Sequence, residues 1–260
     1  LRYGIFTGFA RPTRTKLVQM KQMGFDDAIL CLISKRDFSG MRLPKYVAED
    51  LSLIADCGMT PHIMYWVFRD KSFIDKMVSH FLLSVSGIPI GSVVLNCEAD
   101  YHVGSFESKA CALYLRSKFA NFVMSVVGLP GLHSTVKDLL AVCDYGIPEA
   151  YSIWFPQEEP HWSHTKSTFP GTMQQDAYAD WKHRPVVMGL GCYFGQRPGN
   201  QIHPPMSKEL TMSMSLNETH RLGVLTAYYW SMPHLVRDNQ NAIETMMCLK
   251  SEFQRYRVVP

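Results

Sequence analysis

The fold class predicted is α/β, a single (β/α)8 TIM barrel over residues 1–260, and three observations predict it. A short apolar run, a polar turn, a segment of helix period and a glycine recur along the chain, which is the pattern of βα repetition. Eight strand candidates result, most of them followed by a helix, so one closed barrel is the economical arrangement. The clearest strand, Ser92-Val93-Val94-Leu95-Asn96-Cys97-Glu98, is almost continuously apolar, as buried parallel strands are, yet it ends in carboxylates.

The first strand is Tyr3 to Gly8, and a helix from about Thr13 turns Leu17 and Met20 inward before stopping at Gly24. Strand two is Asp27 to Ile33. After Pro44 a helix places Val47, Leu51 and Ile54 on one face and closes at Gly58. Strand three is His62 to Phe68, and the next helix carries a wide apolar stripe of Ile74, Met77, Val78, Phe81, Leu82 and Val85. Strand four is Ser92 to Glu98. A fourth helix is predicted from Ser105 to Val127, with Leu115, Phe119, Phe122, Val123 and Val126 inward and Gly128 as its cap. Leu132 to Val136 is the fifth strand, before a short helix through Leu139 and Leu140. Strands six, seven and eight are Tyr145 to Ile153, Pro185 to Tyr193 and Val224 to Trp230. A helix from Ser207 to Leu222 precedes the last strand, and a closing helix holds Ile243, Met246, Met247 and Phe253.

Two long loops follow strands six and seven, Phe155 to Arg184 and Phe194 to Pro205, and so lie on the face where barrels build their active sites. In the first, Trp162 and Trp181 either stack on sugar rings or pack the loop onto the barrel.

Hydrophobic residues make up 47% and charged residues 19%, a globular balance that argues against disorder. A net charge of +3 without a basic cluster gives no reason to expect a nucleic-acid partner, although an anionic polymer such as a wall glycan would be attracted. No apolar stretch reaches transmembrane length. The seven cysteines are widely spaced and mostly within apolar runs, so they read as small buried hydrophobes rather than as a disulfide framework or a zinc site. With no signal peptide in view, synthesis in the cytoplasm and action on the cell wall after release is the expected course.

Alternation along the strands decides which side chains face the barrel interior. Asn96, Glu98 and Asp100 share one face of strand four, Ile147, Glu149 and Tyr151 one face of strand six, and Tyr228 and Trp230 one face of strand eight. If these faces point inward, two or three acids, a phenol and an aromatic floor converge at the barrel mouth. That set suits glycoside hydrolysis, in which one carboxylic acid protonates the leaving oxygen and a second group acts as base, nucleophile or charge stabiliser. Glu98 is the expected acid, since an apolar strand favours its protonated form. Asp100 or Glu149 is its partner, unless Asn96 and Tyr151 instead orient a substrate acetamido group that attacks its own anomeric carbon. The competing structural reading pairs Glu98 with Lys35 or Arg69. Tyr65, Trp66, Tyr193, Tyr228 and Trp230 are the aromatic residues expected to bind sugar, together with Asn96. No metal and no cofactor is expected: the ten histidines show no ligand spacing, and His62 starts a strand, at the wrong end of a barrel. Lys35 as a Schiff-base lysine, and Gly189, Gly191 and Gly195 as a phosphate cradle, are weaker readings.

Leu95-Asn96-Cys97-Glu98, Ile147-Pro148-Glu149-Ala150-Tyr151-Ser152-Ile153-Trp154 and Tyr228-Tyr229-Trp230 resemble the strand ends of barrel glycosidases acting on N-acetylated glycans. The nearest are the lysozymes of glycoside hydrolase family 25 and, more distantly, the chitinases of family 18. The resemblance implies a phage-endolysin type of peptidoglycan hydrolase with Glu98 as acid. Asn96 stands where those families carry an aspartate, and Thr7 and Gly8 stand where family 25 ends strand one in another. Two readings therefore remain: a divergent hydrolase, and a barrel that grips glycan without cutting it, such as a virion or cell-surface component.

Overall fold

The computed structural model describes residues 1–32, 40–97, 99–151, 170–191, 208–235 and 240–256. The elements run β1 (Arg2–Phe6), α1 (Arg14–Met23), β2 (Asp27–Leu32), α2 (Pro44–Asp56), β3 (Thr60–Trp66), α3 (Lys71–Ser84), β4 (Val93–Asn96) and α4 (Ala99–His102). They continue as α5 (Ser108–Lys118), β5 (Met124–Gly128), α6 (Ser134–Leu140), β6 (Tyr145–Pro148), α7 (Thr172–Trp181), β7 (Met188–Gly191), α8 (Lys208–Arg221), β8 (Thr226–Trp230), α9 (Met232–Leu235) and α10 (Gln240–Tyr256). All eight strands are parallel in the order β6-β5-β4-β3-β2-β1-β8-β7. The bridges Gly146–Val186 and Glu149–Gly189 join the two ends of the sheet and close the barrel.

Local chemistry sets several of the helix boundaries. The Thr13 hydroxyl accepts from the Lys16 amide and Gly24 ends α1; Pro44 opens α2. Asp70 accepts from the Phe73 amide at 3.0 Å, and Glu107 from Lys109 and Ala110 at 2.9 and 2.7 Å.

The predicted fourth helix ends early. Arg116 donates to the carbonyls of Phe119, Ala120 and Phe122, turning the chain out of α5, and Met124–Gly128 then forms β5 inside the span assigned to that helix. The strand expected at Leu132 to Val136 is instead the approach to α6 and its first turn. Two apolar assignments also fail, because Leu82, placed in the stripe of α3, and Val123, placed inward, face solvent, 48% and 45% exposed. The connection after β6 is not a plain loop, since α7 lies within it.

Trp181, at the end of α7, is fully buried, with its indole N–H on the Pro130 carbonyl at 2.9 Å and its ring against Gly128 and Gly146. It is therefore core; Trp162 lies outside the described residues. Four of the described cysteines are buried and two half-buried, all as free thiols. Burial pushes the Cys111 thiol up to about 11 and Cys31 to about 12, which keeps them unreactive.

Two cores result. Between sheet and helices lies a large one around Tyr3, Leu51, Ile63, Phe81, Phe119 and Trp181. Inside the barrel lies a smaller one of Phe6, Ile29, Cys31, Met64, Val94, Val127, Ile147 and Tyr228.

The N-terminal end of the barrel is closed by a polar cluster. Asp27 is fully buried and receives Arg2 Nε at 2.7 Å, while Nε2 of His62 lies 3.4 Å from its Oδ1. His62 Nδ1 meets Ser92 Oγ at 2.8 Å, and Ser92 meets the Tyr145 hydroxyl at 2.7 Å. Burial pushes the Asp27 carboxyl up, but the bonds from Arg2 and the neighbouring His62 ring outweigh it and hold the group below the usual carboxylate range. A carboxyl with a depressed folded-state pKa contributes stability that is present above its unfolded value, about 3.9, and is lost as pH falls through the folded value. Urea unfolding of the wild type and Asp27→Asn should thus show a stability gap at pH 7 that narrows below about pH 4. A gap independent of pH would mean that the Asp27 charge does not stabilise the fold.

Candidate active site

The inner core fixes which residues face the mouth. Met64 and Trp66 on β3, Val94 on β4, Ile147 on β6 and Tyr228 and Trp230 on β8 all belong to it, and on β4, β6 and β8 this agrees with the expected alternation. Asn96 continues the inward alternation of β4, pairs in register with Trp66 and Val127, and is buried. Cys97 still donates to the Val127 carbonyl at 3.0 Å, so the ladder holds to that residue. Glu98 lies outside the described residues. Asp100 falls in the backbone of α4, and its side chain is likewise not described.

On the other side of β5, Glu149 continues the alternation of Tyr145 and Ile147. Its amide donates to the Gly128 carbonyl at 2.9 Å, and the Tyr151 hydroxyl donates to its Oε1 at 3.3 Å. Both side chains are largely buried. Gln174 on α7 holds this edge by donating to the Ala150 carbonyl at 2.8 Å while accepting from the Gly171 amide at 2.7 Å.

An aromatic group forms the wall at the ends of β1, β3 and β8. Trp230 lies 5.2 Å from Phe6 and 5.7 Å from Phe9, and Phe9 meets Trp66 edge-on at 6.0 Å. Phe9 is 41% exposed, the one large apolar side chain of the group that stands open to solvent. The sequence reading passed over it; its signal was an aromatic residue in the first strand-to-helix turn.

Two expected sugar-binding residues are elsewhere. Tyr65 points out of the barrel into the helix layer, where its hydroxyl meets His80 Nδ1 at 2.8 Å. It is odd in the alternation that turns His62, Met64 and Trp66 inward. Tyr228 does face the interior, but at the N-terminal end, with its hydroxyl 3.4 Å from Asp27 Oδ2. Tyr193 lies outside the described residues, as does Lys35. Among the described residues, no three His, Cys, Asp or Glu side chains gather as a metal site would require.

Arg69, in the turn after β3, organises the segment that follows Glu98. Its guanidinium donates to the carbonyls of Tyr101, Phe106 and His102 at 2.7, 2.7 and 2.6 Å, and its own carbonyl accepts from the Phe106 amide. Gly104 is packed so closely that a Cβ there would lie 2.3 Å from that of Arg69. A planar cation with several fixed donors suits this role and a lysine does not.

No protein-family model matches the sequence, and no curated protein does. Solved structures do match in shape. The spore cortex-lytic enzyme SleL of Bacillus cereus aligns at TM-score 0.62 and 9% identity, over 96% of this chain and 74% of that one. A class V chitinase from Pseudomonas fluorescens Pf-5 aligns at TM-score 0.62 and 11% identity, over 97% and 99%. D-psicose 3-epimerase of Clostridium cellulolyticum H10 also aligns, at TM-score 0.51 and 9% identity, over 98% and 99%. The class defined by these likenesses is the (β/α)8 barrel, a fold that hosts unrelated chemistries.

Proposed function

We propose that the protein is a glycoside hydrolase acting on an N-acetylated polysaccharide, with bacterial peptidoglycan as the first substrate to expect. The observation that carries this reading is the convergence at the barrel mouth of Asn96 and the Glu149–Tyr151 pair with the Phe9, Trp66 and Trp230 wall. The similarity in shape to a cortex-lytic enzyme and a chitinase adds support. In this scheme Glu98 gives its proton to the glycosidic oxygen as the bond to the anomeric carbon breaks. Either Asp100 or Glu149 then takes a proton from the attacking water, or Asn96 and Tyr151 hold an acetamido group whose carbonyl oxygen attacks first. Trp230 and Trp66, with Phe9, offer apolar faces to the sugar rings. Synthesis in the cytoplasm and action on the wall after release belongs to the same proposal, and the free thiols are consistent with it.

One observation favours the rival, a barrel that binds glycan without cutting it. Thr7, at the end of β1, is fully buried, bonds the Gly8 carbonyl at 3.0 Å and accepts from the Cys31 amide at 3.3 Å, so no acid enters the site from that strand. Incubating the protein with purified peptidoglycan, chitin oligomers and mannan, followed by mass analysis, separates the readings. New fragments from an N-acetylated glycan alone support the proposal and identify the bond; retention on the glycan with no fragments supports the rival.

Arg69 supplies a further prediction. Removing its carbonyl bonds frees α4, and a shift of about 1 Å at a reacting group costs roughly 100-fold in rate. Arg69→Ala should lower kcat by that order with KM little changed, and Arg69→Lys should recover little of it. An unaltered kcat would detach α4 from catalysis.

A further inference from the structure

A cavity opens at the opposite end of the barrel from the proposed glycan site. It has a volume of about 790 Å3, within the range of small-molecule sites, roughly 300–1,000 Å3. Its floor is the polar cluster at the N-terminal ends of the strands, presenting Arg2, His62, Tyr145 and Tyr228. Two glycines make that floor fit. A Cβ on Gly91 would lie 2.4 Å from the His62 ring, and one on Gly4 would lie 2.4 Å from the Tyr228 ring. Nε2 of His62 is buried and, at 3.4 Å from Asp27, lacks hydrogen-bond geometry.

The floor also contains serine, histidine and aspartate in sequence, Ser92, His62 and Asp27, but this is no hydrolytic triad. Ser92 is 1% exposed, its oxygen is shared with Tyr145, and it does not line the cavity. A substrate cannot reach it, so the cavity is read as a binding site.

Charge and polarity are divided around the cavity. Asp27 neutralises Arg2 on the floor, while Lys182, His183 and Arg184 stand together at the rim, all exposed. Among the described residues no carboxylate lines the cavity. Basic residues after a helix C-terminus are common, and Arg184 does bond the Ala141 carbonyl at the end of α6, so their charge alone would decide nothing. Here they border an apolar wall of Tyr178, Val186, Val187 and Leu225, and Leu225 is 68% exposed within it. An apolar pocket under a cationic rim recognises an anion that carries a ring or another apolar body.

We propose that this cavity binds a small organic anion, its phosphate or carboxylate held by Lys182, His183 and Arg184 and its apolar body against Leu225 and Val187. The site stands independently of the glycan reading, because it shares no residue with the barrel mouth. Calorimetric titration with phenyl phosphate, phenol and inorganic phosphate tests it, since the last two supply the ring and the charge separately. Phenyl phosphate should bind at least about tenfold more tightly than either, a difference of about 1.4 kcal/mol. The Lys182→Ala/Arg184→Ala variant, both positions being exposed, should retain its melting temperature and weaken binding by a further tenfold or more, about 1.4 kcal/mol. Failure of phenyl phosphate to bind, equal binding of phenol, or unchanged affinity in the double variant would each overturn the proposal.

Discussion

Replacing Glu98 by glutamine is expected to slow glycan hydrolysis by roughly 100- to 10,000-fold, the usual contribution of one general acid, with the melting temperature unchanged. Glutamine keeps the size of the side chain and removes the proton it would donate. The basic limb of the pH–rate profile, which reports loss of that proton, should disappear with it. Glu149→Gln provides the comparison. Glu149 is bonded by Tyr151 and follows the end of a different strand, so its loss should remove base or nucleophile function and leave the basic limb in place. If Glu149→Gln abolished the basic limb and Glu98→Gln did not, the two roles would have to be exchanged.

The second large effect is on stability. Trp181→Ala should cost about 3–5 kcal/mol, the range for truncating a fully buried tryptophan, measurable as a lower urea midpoint. The indole fills the space above Gly146, where a Cβ would come within 2.6 Å of it, and its N–H satisfies the Pro130 carbonyl. Trp181→Phe should recover part of the loss but leave that carbonyl without its donor. A variant of normal stability with weakened glycan binding would instead return Trp181 to the sugar-stacking role that its place after strand six first allowed.

Periodicity and punctuation made most of the barrel legible. Thr13, Leu17, Met20 and Gly24 announced α1 from cap to stop, and Pro44 with Val47, Leu51 and Ile54 announced α2. Reading failed where helix period ran on into a strand. Phe119, Phe122, Val123 and Val126 keep helical spacing after α5, and only the carbonyl bonds of Arg116, a tertiary device, mark the end. Alternation placed Asn96 and Trp230 on the inward face, and the same rule, applied to β3 from His62 onward, sends Trp66 inward and Tyr65 outward. Tyr228 shows the limit of parity, which tells inside from outside but not top from bottom. The floor cluster was not legible at all. Asp27, His62 and Tyr145 lie on three strands and Ser92 just before a fourth, far apart in the chain, and only the closed register brings them together.

The central claim is that the barrel mouth cuts an N-acetylated glycan with Glu98 as its acid. The most direct measurement is the release of new reducing ends from purified peptidoglycan by the wild type and by Glu98→Gln, with both proteins shown to be equally folded and their binding to the same material recorded. The account predicts release by the wild type, and binding without release by the variant. Release by both at the same rate, or binding without release by the wild type, would contradict it.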